Sequence, residues 1–395
     1  MAKILSINSG SSTLKWRLFN MPNEQQIAYG LIDFLDENIA EITVSYGQGH
    51  QEKERKKDLT FKGAIIELME QLKSLGLVTH LHEITGIGHR VVAGGEIFKN
   101  STIVSKDVLV QINNLNDFAP LHNHVEAKGI KIFSQVMPWA TEVAVFDSAF
   151  HQTIPEENYL YGIPYEYYKK YGVRKYGAHG TSARYVSMRA AQILKQPLSK
   201  LRLIVMHLGS GSSITAINKG ESLDTSMGFT PLDGLVMSTR SGSVDISLIA
   251  YLMHKLNIDD TGKMISILNH KSGLLGISGI SGDQRKLKKI ATKNYRAQLA
   301  LNMFANRVTK FIGGYVALMD GVDALIFTGG VGENSFEMRK QIMAKFNYIG
   351  ATIDVKKNHT IGKEIDISAL NATVKTLVIP TNEELMIARD VYDRL

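Results

Sequence analysis

The chain of 395 residues contains no cysteine, which excludes disulfides, thiolate nucleophiles and thiolate metal sites. A nucleophile must therefore be oxygen or nitrogen, or belong to a substrate. Proline is scarce, at 8 residues, so a Pro-rich linker protein is excluded. No apolar run approaches the ~18 residues of a membrane span. The start, Met1-Ala2-Lys3 running into Ile4-Leu5-Ser6-Ile7, has neither an apolar h-region nor a cleavage site, so a cytoplasmic protein with no membrane partner is expected. There is no G-x-x-x-x-G-K-[ST] stretch, which argues against a P-loop. A block of single-sign charge is also missing. Forty-five basic residues against 38 acidic give +7, and they are scattered. Gln51 to Asp58 mixes both signs and reads as a solvated loop or hairpin tip. Arg285-Lys286-Leu287-Lys288-Lys289 reads as an exposed helix face without the interleaved aromatics of a single-strand binder. Nucleic acid is not the expected partner; small anions are.

What is present is an ordinary globular composition, 44% apolar and 21% charged. The length suits two domains of about 150 to 200 residues with a cleft between them. Short β-branched runs alternate with longer helical patterns, which argues for an α/β fold. Strands are expected at 4–7, 14–19, 142–146, 203–208, 214–217, 324–328 and 376–379. Helices are expected at 61–75, 122–135, 182–194, 243–256, 295–318, 335–345 and 383–395. Two internal echoes run in the same order. Asn8-Ser9-Gly10-Ser11-Ser12-Thr13-Leu14 reappears as Gly209-Ser210-Gly211-Ser212-Ser213-Ile214-Thr215, and Val145-Phe146-Asp147-Ser148 as Ile326-Phe327-Thr328-Gly329. Together they predict a duplicated domain.

Each Gly/Ser turn between strands lets backbone N–H groups converge on an anion, since glycine permits close approach and hydroxyls add donors. Two such turns could hold a polyphosphate. A third glycine cluster, Thr328-Gly329-Gly330-Val331-Gly332-Glu333-Asn334, follows a buried strand and precedes a helix, where a flat ring such as adenine could lie against bare backbone.

These stretches, with Gly88-His89-Arg90-Val91-Val92, Ala119-Pro120-Leu121-His122-Asn123, Phe146 to Thr153, Asp224 to Leu232, Thr239-Arg240-Ser241-Gly242, Lys271 to Gly276 and Pro380 to Leu385, resemble the acetate kinase (acetokinase) family over essentially the whole chain. The resemblance implies the duplicated, ribonuclease H-like fold of actin, Hsp70 and sugar kinases. It implies an N-terminal domain of residues 1–149 plus a returning helix at 384–395, and a nucleotide-binding, dimerising domain at 150–383. It further implies a homodimer, ATP/ADP as co-substrate, Mg²⁺ or Mn²⁺, and phosphoryl transfer to acetate or another short-chain carboxylate. Such a transfer joins two anions, so permanently charged guanidinium forks suit it. The resemblance assigns Arg90 and Arg240 to clamp the carboxylate and the transferring group, and His179 to donate to that group. It makes His122 a second site histidine and Asp147 a catalytic carboxylate, with Asn8 and Glu383 at the metal. Val92, Leu121, Ala178 and Pro231 would line the acid pocket. The phosphate turns would use Ser11, Ser12, Thr13 and Lys15, then His207, Gly209, Ser210 and Gly211. Asp283, Arg285, Gly330, Val331, Gly332 and Asn334 would hold the rest of the nucleotide. Read without the family, His89, His151 and His207 are structural, and His122 with His124 is a weak metal pair.

Six positions depart from the family pattern: Ala93, His124, Ala178, Ala183, Ser210 and Ser243. Ala178 stands where the family has a phenylalanine walling the acid's methyl group. A buried methylene is worth roughly 0.8 kcal/mol, so an emptied pocket would favour propionate or a longer acid. The departures together also raise the alternative of a nucleotide-binding paralogue with weak kinase activity.

Overall fold

The computed structural model describes residues 1–10, 12–36, 39–116 and 123–395. Ser11, Leu121 and His122, assigned to the site above, lie outside the described residues. The chain divides into two compact units, Met1–Phe150 with Asn382–Leu395, and His151–Thr381.

The first unit carries β1 (Ala2–Ser9), β2 (Thr13–Met21), β3 (Gln25–Phe34), β4 (Ile39–Tyr46), β5 (His50–Lys57), β6 (Ile84–Val91), β7 (Thr102–Ile103) and β8 (Thr141–Phe146). They form one sheet in the order β5-β4-β3-β2-β1-β6-β8-β7. Ile4, Leu5, Ser6 and Ile7 are all buried, as expected of a central strand covered on both faces. One cover is the C-terminal helix Glu383–Tyr392, which packs on β1 and β6.

Five strands of this sheet, β3 to β7, escaped the sequence reading, two of them for identifiable reasons. β6 reads Ile-Thr-Gly-Ile-Gly-His-Arg-Val, and two glycines break a strand pattern. The fold explains them: a β-carbon on Gly86 would lie 2.4 Å from Val391, and one on Gly88 2.2 Å from Ile387. The glycines let the returning helix seat on the strand. Gln51 to Lys57, expected as a loop or hairpin tip, belongs to edge strand β5. It is kept from further pairing by its charges, with Lys53 and Arg55 both reaching Glu41 on β4.

The second unit carries β9 (Arg202–Leu208), β10 (Ser212–Asn218), β11 (Glu221–Thr225), β12 (Ala324–Thr328), β13 (Ile365–Asp366) and β14 (Lys375–Val378), in the order β11-β10-β9-β12-β14-β13. Helix Tyr295–Leu318 buries Ala297, Ala300, Leu301, Phe304, Val308 and Ile312 against this sheet. Spacings of three and four put these residues on one helix face.

The duplication is visible in strand pairing. In the first unit β3-β2-β1 are antiparallel, β6 and β8 join parallel, and β7 closes antiparallel. In the second, β11-β10-β9, then β12 and β14, then β13 repeat that sequence of senses. This is a twice-repeated ribonuclease H-like sheet, elaborated by β4 and β5 in the first copy. The first echo is genuine, because both turns join the central strand to its antiparallel neighbour. The second is not. β8 is the counterpart of β14 and β12 that of β6, so Phe146-Asp147 and Phe327-Thr328 occupy different places in the two copies. Buried strands that end in a small polar residue resemble each other whatever their position.

Candidate active site

In the first unit the site is built at the C-terminal ends of parallel strands, where open α/β sheets place their ligands. Arg90, near the end of β6, donates from Nε and Nη2 to Asp147 Oδ2 at 3.0 and 2.6 Å, and from Nη1 to Asn8 Oδ1 at 3.4 Å. Asp147 follows β8 directly and is buried, with its backbone N–H donating to Val91 O. Burial would lower the Arg90 pKa, but Asp147, Glu383 and Glu126 outweigh it and hold the guanidinium firmly charged. Glu383 opens the returning helix. Burial pushes its pKa up to about 7, with Arg90 pulling the other way and Asp147 and Glu384 adding to the rise. Asn8, Asp147 and Glu383 supply oxygen donors of the kind a hard divalent cation takes alongside phosphates and water. Among the described residues no three histidine or acidic side chains form a ready-made metal cage. Ser12, Thr13 and Lys15 lie on the β1–β2 turn and the start of β2, with Gly10 N–H closing the turn onto Thr13 O at 2.7 Å.

Sequence reasoning missed how the loop after Arg90 is fixed. Three successive backbone N–H groups each meet a side chain: Val92 donates to Glu126 Oε2 at 3.0 Å, Ala93 to Asn123 Oδ1 at 3.1 Å, and Gly94 to Ser148 Oγ at 2.9 Å. Asn123 and Glu126 stand three apart at the start of helix Asn123–Val136. This Asn-x-x-Glu spacing resembles a capping box, but the pair serves another segment. His124 is exposed. The backbone role of Ala93 needs no side chain, which accounts for the tolerance of alanine there.

Burial pushes the Glu126 carboxyl up to about 8, more than Arg90 and the Val92 N–H pull it down. A raised carboxyl pKa means the folded state holds a proton that the unfolded state releases, so stability falls as pH rises from about 4.5 through about 8. The melting temperature is expected to decline over that interval. Glu126→Gln keeps an acceptor for Val92 and should flatten the decline. An unchanged slope in the variant would remove Glu126 from the titration.

In the second unit His179, Arg240 and the β9–β10 turn converge. Gly177 takes φ 72°, where a β-carbon would lie 2.5 Å from Thr225 and 2.7 Å from His151. His179 itself adopts φ 59° at the start of helix Gly180–Leu194, a conformation L-residues rarely hold. Its Nδ1 meets Ser213 Oγ at 3.0 Å. Its ring stacks on His207 at 4.2 Å between centroids. A β-carbon on Gly211 would sit 3.7 Å from His179 Nε2 and equally far from Arg240 Nη1. The glycine therefore leaves open the space between a histidine and an arginine.

Arg240 donates to Pro231 O at 3.4 Å and has no carboxylate partner among the described residues. Burial lowers its pKa, as befits a desolvated cation without a counter-ion. His207, structural when read without the family and a phosphate residue by the resemblance, lies against His179, and its Nδ1 meets Ser182 Oγ at 2.8 Å. His89 and His151 are structural as expected, bonded to Glu142 and to Ser222 with the Ala178 carbonyl.

A cavity of about 910 Å³ opens beside this turn, lined by Gly209, Ser210, Asp283, Arg285, Gly330, Val331 and Asn334 among others. Seven of the residues assigned to the nucleotide are thus gathered at one place. Gly332 is buried within the short helix Gly329–Asn334 and supports that wall from behind. Lys288 and Lys289 also line the cavity. The basic run is therefore not simply a solvated face, and its Leu287 is fully buried. Behind the glycines, Arg339 is completely buried. It donates to the carbonyls of Gly332 and Glu333 at 2.8 and 3.0 Å, to Asn358 Oδ1 and O at 2.9 and 2.6 Å, and to Thr360 O at 2.7 Å. Burial holds its pKa down to about 10.

Of the remaining departures, two are buried small residues and a third is held by hydrogen bonds. Ala178 is buried in one cluster with Met227 and Met237, so its small side chain faces methionines. Ala183 is buried in the first turn of its helix. Ser243 donates to Asp233 Oδ1 at 2.5 Å and accepts from Gly234 N–H at 3.0 Å. Val92 lies in the first unit, while Ala178 and Pro231 lie in the second. No helix among the described residues is long and apolar enough to cross a membrane.

The sequence matches the acetokinase family over residues 3–389. The acetate kinase of Lacticaseibacillus paracasei is 60% identical, covering 99% of each chain, and that of Geobacillus kaustophilus is 50% identical over 99% of this chain and 98% of its own. The crystal structure of Porphyromonas gingivalis acetate kinase superimposes with a TM-score of 0.94 at 39% identity, covering 100% of this chain and 99% of that one. A Francisella tularensis propionate kinase does so with a TM-score of 0.93 at 42% identity over the whole of both chains.

Proposed function

The chain belongs to the acetokinase family, and from that premise we infer that it transfers the γ-phosphoryl group of ATP to acetate, and in reverse from acetyl phosphate to ADP. The acceptor carboxylate is the nucleophile. One of its oxygens forms the new P–O bond in line as the bond to the β,γ-bridging oxygen breaks, and ADP leaves with that electron pair. No side chain need carry the phosphoryl group, which agrees with the absence of cysteine.

The reading rests above all on the convergence of His179 and Arg240 over Gly211, one residue from Ser210 in the nucleotide cavity. A phosphoryl group in transfer spreads charge over its equatorial oxygens, and these are donors suited to meet it. Ser213, held to Nδ1, orients the imidazole so that Nε2 faces the group. Asp283, Arg285, Gly330, Val331 and Asn334 hold the nucleoside, and the β9–β10 turn its phosphates. Arg90 holds the acid, with Asp147 fixing its fork. Asn8, Asp147 and Glu383 suit Mg²⁺, or Mn²⁺, which when bound would offset phosphate charge. The family pattern, rather than an observed contact, assigns Val92, Pro231, Leu121 and His122 to the acid.

Acetate is the preferred acid in this reading; what supports this is the burial of Ala178 in one cluster with Met227 and Met237, whose long side chains can take up room beside it. ADP formation measured across acetate, propionate and butyrate tests this. A decline in kcat/KM from acetate onward is expected, about several-fold per added carbon. Propionate as the better substrate would reverse the assignment, and ADP release indifferent to every acid would replace a kinase with an ATPase.

The enzyme works as a cytoplasmic homodimer through its second unit. What supports this is helix Ile246–Lys255, Ile-Ser-Leu-Ile-Ala-Tyr-Leu-Met-His-Lys, which has no buried residue despite its apolar composition. Ile246 is 82% exposed and Tyr251 58%. An apolar helix of this kind is a face for a second copy of the chain.

A further inference from the structure

We propose that the second unit carries an oxyanion-binding site separate from the active site, on the outer face of helix Tyr295–Leu318. A cavity of about 440 Å³ opens there, and its lining includes Asp224, Arg307, Lys310, Phe311, Gly314 and Tyr315. The last five recur at helical spacing, so one face of a single helix supplies them.

Three features of this face are unexplained by folding alone. Arg307 is half-buried, yet neither it nor Lys310, one turn on, has an ion-pair or hydrogen-bond partner among the described residues. Tyr315 is 5% exposed and its hydroxyl is buried without a hydrogen-bond partner, an arrangement native proteins normally avoid. Gly314 stands in the interior of a 24-residue helix, where glycine is unfavourable. Nothing lies within 4 Å of where its β-carbon would be, so no close backbone approach calls for it. Its absent side chain leaves the cavity open.

A half-buried guanidinium and an exposed ammonium one turn on, neither with a partner among the described residues, beside a floor cleared of side chain, describe a receptor for a small molecule bearing a phosphate or carboxylate group. Phe311 provides an apolar wall. The one acid of the lining, Asp224, is ion-paired with Lys175, so its charge is already balanced. The site shares no lining residue with the nucleotide cavity and does not depend on the kinase assignment.

Isothermal titration of the full chain, saturated with Mg²⁺ and ADP so that the nucleotide cavity is filled, tests it with inorganic phosphate in one arm and malonate in the other. Saturable one-to-one binding is expected in at least one arm, and the responding arm identifies the oxyanion. Arg307→Ala should weaken binding about tenfold, as loss of a charge-assisted contact does. Gly314→Leu should abolish it by filling the cavity, while ADP formation with acetate stays within about twofold of wild type. No saturable binding in either arm overturns the proposal, as does binding that both variants leave intact.

Discussion

Arg240→Ala is expected to lower kcat by about 10³ or more, the loss typical of removing a cationic clamp from phosphoryl transfer, while the protein stays folded. The two halves of that expectation have separate causes. Arg240 has no carboxylate partner among the described residues, so its removal strands no buried charge and relieves a desolvated one. Its side-chain hydrogen bond among the described residues, to Pro231 O at 3.4 Å, is long. The cation is therefore held for something that arrives during the reaction. An interaction made only in the transition state is lost from kcat and kcat/KM equally, so KM for acetate should change far less. Near-normal turnover in the variant would take Arg240 out of the mechanism. Arg90 differs, because Asp147 takes two of its donors. Deleting it would leave a buried carboxylate uncompensated, and activity loss there would be mixed with loss of stability.

The second large effect lies away from the reacting atoms. Arg339→Met should destabilise the second unit by about 3 to 5 kcal/mol, the scale for removing one partner from a buried charged network. For a unit of this size the melting temperature should fall by roughly 10 °C. Five hydrogen bonds from one guanidinium tie the carbonyl end of helix Gly329–Asn334 to the segment around Asn358 and Thr360. A methionine fills most of the space and satisfies none of those acceptors. Because Gly330, Val331 and Asn334 line the nucleotide cavity, KM for ATP should rise in whatever fraction remains folded, with KM for acetate little affected. Arg339→Lys should recover only part of the loss, since an ammonium cannot reproduce the planar fork. A melting temperature equal to wild type would show that water satisfies these carbonyls as well as the arginine does.

Much of the site was legible because its chemistry is carried by short contiguous stretches. Gly209 to Ser212 must be small and polar to turn between strands and bare its N–H groups, whatever surrounds it. Glycines 329, 330 and 332 with Asn334 similarly announce a backbone surface. The residues that hold these stretches in place were not legible. Glu126 and Asn123 reach a loop some thirty residues earlier. Ser213 was read as part of a turn rather than as the partner of His179. Nothing in the helix expected at 335–345 singles out Arg339, and only its complete burial does. At Ala178 the sequence shows only the absence of a ring, and it takes the structure to show that the position is buried in one cluster with Met227 and Met237.

By itself the sequence determined the class of chemistry: no thiol, no P-loop, two Gly/Ser turns between strands, and arginines set in polar small-residue motifs. These are local consequences of residue type, and they hold in any fold that forms those turns. Only the tertiary structure decided which strands are counterparts in the two copies, since pairing sense and order are relations between distant segments. It also distinguished Arg90, paired with Asp147, from Arg240, which lacks a carboxylate partner among the described residues. The sequence presents both as arginines in short motifs, and it is desolvation and the position of acids elsewhere in the chain that separate a braced cation from one awaiting an anion.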